Sequence, residues 1–139
     1  MADEKLDVIV KAIELYDYTI TTTSNRKKYP AKYRVLIERT QNTCIDIYEA
    51  LMEANRKRLD ILEERKDRRN LQTKSIMLCD QLNLHIEMAK NHNLISSGSC
   101  EYWSKMVCDI KHMTIAWRSR DEKKIIYMGY MLYLVMFLT

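Results

Sequence analysis

Two glycines, Gly98 and Gly129, and a single proline, Pro30, punctuate the whole 139-residue chain. A β-sandwich or barrel turns about every 8–12 residues, so this scarcity argues against an all-β fold. No segment carries G-x-G-x-x-G or G-x-x-x-x-G-K, which argues against a dinucleotide or P-loop fold. C-x-x-C is also missing. Cys44, Cys79, Cys100 and Cys108 are too scattered for a zinc ribbon or a thioredoxin-like pair. The opening residues, Met1 to Asp7, are acidic and polar, unlike a secretory leader. The expectation is a cytoplasmic protein with reduced, mostly buried thiols.

What the chain does have is helical periodicity. Leu6, Ile9, Ile13, Tyr16 and Ile20 recur at steps of three and four, which predicts a first helix over residues 5–22 with that stripe facing the core. Thr21 to Asn25 end it, and Pro30 suits the first turn of the next. A second helix is expected from about Ala31 to Asn55, with Ile37, Cys44, Ile47, Tyr48, Leu51 and Ala54 on one face and a polar gap at Thr40 and Gln41. Residues 56–70 are strongly charged, as a loop or a helix continuing out of the core would be, and with only Leu59 and Leu62 to anchor them they read as a connection. A third helix, Asn70 to Asn91, carries Leu71, Leu78, Leu82, Ile86 and Ala89. The fourth starts after Ser97 or Ser99 as N-cap, and carries Trp103, Met106, Val107, Ile110, Met113 and Trp117. The pattern predicts an all-α, up-down-up-down four-helix bundle over residues 1–120, expected to be oligomeric, with 121–139 as an apolar tail or helix extension.

That topology sorts the charges. The joins near 23–30 and 91–99 share one end, where Arg26, Lys27, Lys28, Lys32 and Arg34 gather without an intervening acid. The join near 56–70 and the exit after Trp117 share the other. It holds Arg56, Lys57, Arg58, Arg65, Lys66, Arg68, Arg69, Arg118 and Arg120, diluted by Asp60, Glu63, Glu64 and Asp67. The net charge is +4, although residues 1–25 are acidic. Such bases either solvate helix ends or form a phosphate-binding surface of salt-sensitive, sequence-tolerant affinity. On the second reading the candidate binding residues are Arg26, Lys27, Lys28, Lys32, Arg34, Arg56, Lys57, Arg58, Arg65, Arg68 and Arg69. Tyr29 and Tyr33 stack on unpaired bases or pack the helix junction.

An enzyme needs converging acids, bases, nucleophiles or a metal. His85, His92 and His112 lack the i, i+4 pairing of a zinc helix, and they read as one boundary imidazole and two surface ones. No nucleophile elbow is present. No catalytic residue, metal or cofactor is expected. The segment from Ile125 to Leu138 holds 14 residues without a charge, preceded by Lys123 and Lys124. As a helix it measures about 21 Å, short of the roughly 30 Å hydrocarbon core. It either continues the fourth helix and buries a face in an oligomer, dips into a membrane, or is foreign to the domain.

The run from Tyr29-Pro-Ala-Lys-Tyr-Arg through Glu49-Ala-Leu-Met-Glu-Ala-Asn55 resembles the accessory variability determinant family of diversity-generating retroelements. So do Leu94-Ile-Ser and the stretch Asp109 to Trp117. The likeness spans about residues 5–119, with Pro30, Arg34 and Trp117 as matching framework positions. Lys111, Ile115 and Ala116 occupy a stretch where the family often has glycine, and the tail from Ile125 has no counterpart. The family is related to proteins encoded in ribosomal-RNA intervening sequences. The resemblance implies a four-helix bundle in a homopentameric, positively charged barrel. It further implies partners in a reverse transcriptase and RNA or cDNA, and support of mutagenic cDNA synthesis without chemistry of its own. The alternative is a stand-alone interaction or scaffold bundle, attached to a membrane through its tail.

Overall fold

Core positions recur at steps of three and four residues along each helix, and this repeat determines how the helices pack. The computed structural model describes residues 4–138; the opening through Asp3, the side chains of Glu4, Lys5 and Leu6, and Thr139 lie outside the described residues. Four helices follow in order: α1 (Glu4–Thr23), α2 (Arg34–Arg56), α3 (Leu62–Asn91) and α4 (Ser97–Leu138). A 3-10 turn (Ala31–Tyr33) leads into α2, and no strand occurs among the described residues. Around the bundle α1 meets α2, α2 meets α3, α3 meets α4 and α4 closes on α1. Short joins make successive helices antiparallel, so the expected up-down-up-down arrangement is the observed one.

On α3 the buried positions are Arg68, Gln72, Ser75, Cys79, Leu82, Ile86 and Ala89. On α4 they are Cys100, Trp103, Val107, Ile110, Thr114, Trp117 and Asp121. Both seams alternate steps of three and four over six intervals. On α2, Thr40, Cys44, Ile47, Leu51 and Ala54 keep the same beat. The α1 seam is Val8, Ala12, Leu15, Thr19 and Thr23.

That last set corrects the stripe read from the sequence. Ile13 is exposed and Tyr16 and Ile20 are only half-buried. Small and hydroxylic residues take the seam because Trp103, fully buried, fills the space opposite. Its indole N–H donates to Thr19 Oγ1 at 3.1 Å. A string of polar contacts continues from there. Cys44 Sγ lies 3.7 Å from the same hydroxyl, Thr23 Oγ1 donates to Thr19 O, and Gln41 Nε2 donates to Thr23 Oγ1. In the polar gap foreseen at Thr40 and Gln41, Gln41 thus reaches a hydroxyl on α1, while Thr40 Oγ1 donates to Leu36 O in its own helix at 2.7 Å.

Residues 56–70 differ from expectation more sharply. The connection is only 57–61, and α3 begins at Leu62. The charged stretch is made of good helix formers, and Glu63 and Glu64 in the first turn complement the helix dipole. Burial of Arg68 anchors the turn that Leu59 and Leu62 alone do not. The helix then uses Gln72, Ser75 and Cys79, rather than Leu71 and Leu78, which lie half-buried beside the seam.

The first end is sealed by its joins. Tyr29 is 1% exposed, and Leu94 and Ile95 are buried beside it in the core. α3 stops in a Schellman motif: Leu94 N–H donates to Ala89 O, Asn93 N–H donates to Lys90 O, and Asn93 takes φ 59°. α4 is capped by Ser96, whose Oγ accepts from Ser99 N–H at 3.1 Å. The cap is therefore one residue earlier than Ser97, and Ser99 is its donor.

Burial pushes the thiol of Cys44 up to about 11 and that of Cys79 up to about 12. No disulfide forms, and only Cys108 is partly accessible. Iodoacetamide at pH 8 should therefore label the native chain at Cys108 at most, and all four positions in urea, as read by intact mass. Native labelling of Cys44 or Cys79 at a free-thiol rate contradicts this packing.

Candidate nucleic-acid interface

Antiparallel packing brings the α1–α2 and α3–α4 joins to one end and the α2–α3 join to the other. At the first end Arg26, Lys27, Lys28, Lys32 and Arg34 are all exposed. Helix C-termini and turns fix their spacing. Asn25 Oδ1 accepts from Lys27 N–H at 3.1 Å, and Tyr29 N–H closes the turn onto Asn25 O. None of the five cations forms an ion pair among the described residues. Arg26 and Arg34 flank a cleft of about 460 Å³, with Thr23, Gln41 and Glu38 on its wall.

Tyr29 does not stack on a ligand. It is inside the core, and burial pushes its phenol up. Tyr33 is half-buried, with its ring 5.5 Å from that of His92 in an edge contact and Lys32 Nζ 5.3 Å above it. His92, foreseen only as a surface imidazole, thus joins the basic end. The signal for this was the chain order itself, since α3 ends where α2 begins.

The second end is chemically different. Arg68 is not on the surface: it is 3% exposed. Its Nε and Nη2 donate to Asp121 Oδ2 and Oδ1, both at 2.7 Å. Its Nη1 donates to Lys57 O at 3.1 Å, and its guanidinium lies 5.0 Å from the Trp117 ring. Gln72 Nε2 gives Asp121 a third bond at 2.7 Å. The expected phosphate ligand is a core residue, because a carboxylate four residues past Trp117 faces it from α4. Arg58 is held by Asp60, Arg69 by Glu122, and Lys57 sits 3.9 Å from Asp67. Arg65 Nε donates to Leu59 O. Arg56 keeps an exposed charge without an ion pair among the described residues. The sequence placed both clusters at bundle ends. It did not reveal that the second is largely spent on internal partners.

Other chemistry is sparse. His85 is half-buried; burial, with the Arg39 charge, pushes its imidazole down, while His112 is exposed. Among the described residues no group of three or more His, Cys, Asp or Glu side chains is placed to hold a metal ion.

No protein-family model matches the sequence, and no curated protein is detectably similar to it. The fold does have a counterpart among solved structures. A protein of unknown function from the S23 ribosomal protein family of Bacteroides thetaiotaomicron superposes with a TM-score of 0.72 at 13% identity. The match covers 84% of this chain and 99% of that one. This chain shares that protein's helical fold.

Asp121→Ala leaves a buried guanidinium without its partner, and the expected loss is roughly 3–5 kcal/mol of stability. The double change Arg68→Met, Asp121→Leu should recover most of it. Urea unfolding of both variants measures this, and an unchanged midpoint for Asp121→Ala refutes it.

Proposed function

We propose that this chain is a non-enzymatic accessory protein of the accessory variability determinant type. On this reading it serves a diversity-generating retroelement in the cytoplasm, binding the reverse transcriptase and its RNA or cDNA and supporting mutagenic cDNA synthesis. The observation that carries the proposal is the first basic end: five exposed cations on one turn-rich surface, with no acid paired to them among the described residues. Free lysines and arginines at that density release counterions on contacting phosphates. The fold shared with a member of a family named for the ribosome supports an RNA partner.

Assembly into a closed ring, a pentamer on the family resemblance, has support from two unlike apolar surfaces. Met77, Leu84 and Met88 make an exposed stripe along α3. Ile13, Tyr16, Ile45 and Tyr48 line a groove of about 310 Å³ between α1 and α2. Two different patches that fit one another give a head-to-tail contact, which closes into a ring when the rotation allows.

Fluorescence anisotropy with single-stranded template RNA tests the first part. Contact with five phosphates gives a log–log salt slope of about −3.5. Charge reversal at Arg26, Lys27 and Lys28 should flatten that slope and weaken binding more than tenfold. Absence of binding at low salt, with or without the polymerase, removes the proposal. For the ring, Leu84→Arg and Ile13→Arg should each yield monomers in sedimentation equilibrium, and a wild-type monomer at high concentration rules the ring out.

A further inference from the structure

α4 does not stop where the bundle does. Asp121 is its last buried residue, yet the helix runs unbroken to Leu138. From Ile126 to Leu138 every side chain but Leu134 is exposed, including Ile126 at 72%, Leu132 at 62% and Phe137 at 70%. At 100° per residue Tyr127, Tyr130, Tyr133 and Phe137 occupy one side, and Met128, Leu132, Val135 and Met136 the other. The projection is apolar all round, and a helix of that kind is surrounded by apolar matter in its working state.

Its root carries the opposite chemistry. A cleft of about 700 Å³ opens there between the α2–α3 join and α4. Arg56, Lys57, Arg58, Lys123 and Lys124 line it, with Tyr127 and Met128 as the apolar edge. Asp60 is its one acid and is engaged by Arg58. Arg56, Lys123 and Lys124 make no ion pair among the described residues.

We infer that this end of the bundle seats on an anionic lipid surface. The α4 projection enters the leaflet, and the root cations meet the headgroup phosphates. Three observations favour lipid over a second copy of the chain. A partner helix covers one side of the rod, whereas acyl chains cover all of it. Parallel pairing of two projections brings Lys123 and Lys124 against their own copies, and like charges repel. The cations form a collar at the level where an anionic headgroup layer lies when the rod is immersed. Each such base contributes about 1 kcal/mol near an anionic membrane. The 14 uncharged residues from Ile125 measure about 21 Å as helix, more than the roughly 15 Å of a single hydrocarbon leaflet. No described helix is long and apolar enough to cross a membrane. Tyr127, one turn past the lysines, falls at the interface where tyrosines are favoured. This surface lies at the opposite end from the proposed RNA-binding bases, so the two readings stand or fall separately.

Flotation of the full chain with vesicles tests it. The chain should float with phosphatidylcholine–phosphatidylserine vesicles and far less with phosphatidylcholine alone. Lys123→Glu with Lys124→Glu should lower the partition coefficient by roughly thirtyfold or more. Leu132→Glu with Phe137→Glu should abolish flotation. All four positions are exposed, so circular dichroism should show unchanged folding. Three outcomes overturn the inference: wild type that stays with the unbound fraction, equal flotation on both vesicles, or full flotation of the Leu132, Phe137 variant. Loss of an oligomer on changing those two residues, without vesicle binding by wild type, assigns the rod to a second copy instead.

Discussion

The buried pair between Arg68 and Asp121 sets the relation of α3 to α4. Burying two charges is costly, and the cost is offset only when every donor and acceptor finds a partner. Here the carboxylate takes three hydrogen bonds and the guanidinium makes three, one of them to the Lys57 carbonyl. A slip of one helical turn would leave both charges unpaired in the interior. The pair therefore fixes the register between the start of α3 and the point where α4 leaves the bundle. It also reaches the α2–α3 join through Lys57, so three segments meet at one ionic contact.

From that register follows a molecule with two unlike ends. One is closed by Tyr29, Leu94 and Ile95 and covered with bases that form no ion pair among the described residues. The other draws Arg68 inward, pairs Arg58 and Arg69 with nearby acids, and releases an apolar helix through the remaining lysines. The acids at the second end, Asp60, Asp67 and Glu122, lie against Arg58, Lys57 and Arg69, and among the described residues no group of three or more His, Cys, Asp or Glu side chains is placed to hold a metal ion.

The existence of four helices was plain from the spacing of apolar residues, because amphipathic periodicity survives errors of a residue or two. The choice of face was less plain. Thr19, Gln72, Ser75 and Thr114 occupy seam positions that hydropathy assigns to the surface. They are there because close helix packing and the indole of Trp103 favour small or hydrogen-bonding side chains. The same blindness hid the first two turns of α3. Eight charged or polar neighbours read as a solvated join until Asp121, more than fifty positions away, supplies the partner that buries Arg68. Local pattern does not encode a contact at that separation. The basic end at Arg26–Arg34 was legible because its lysines and arginines have no such distant partner.

The 42 residues of α4 make a rod of about 63 Å. Roughly the last 25 Å stands beyond Asp121 as a cantilever. It holds one glycine, Gly129, with open space around its α-carbon, and no proline, so nothing along it acts as a designed joint. A tilt of about 10° at the root therefore sweeps the tip through about 4 Å. Force applied near Leu138 is delivered as torque to the bundle, and it is borne at the fulcrum by two successive carboxylate–guanidinium links, the exposed Glu122–Arg69 pair and then the buried Asp121–Arg68 clasp.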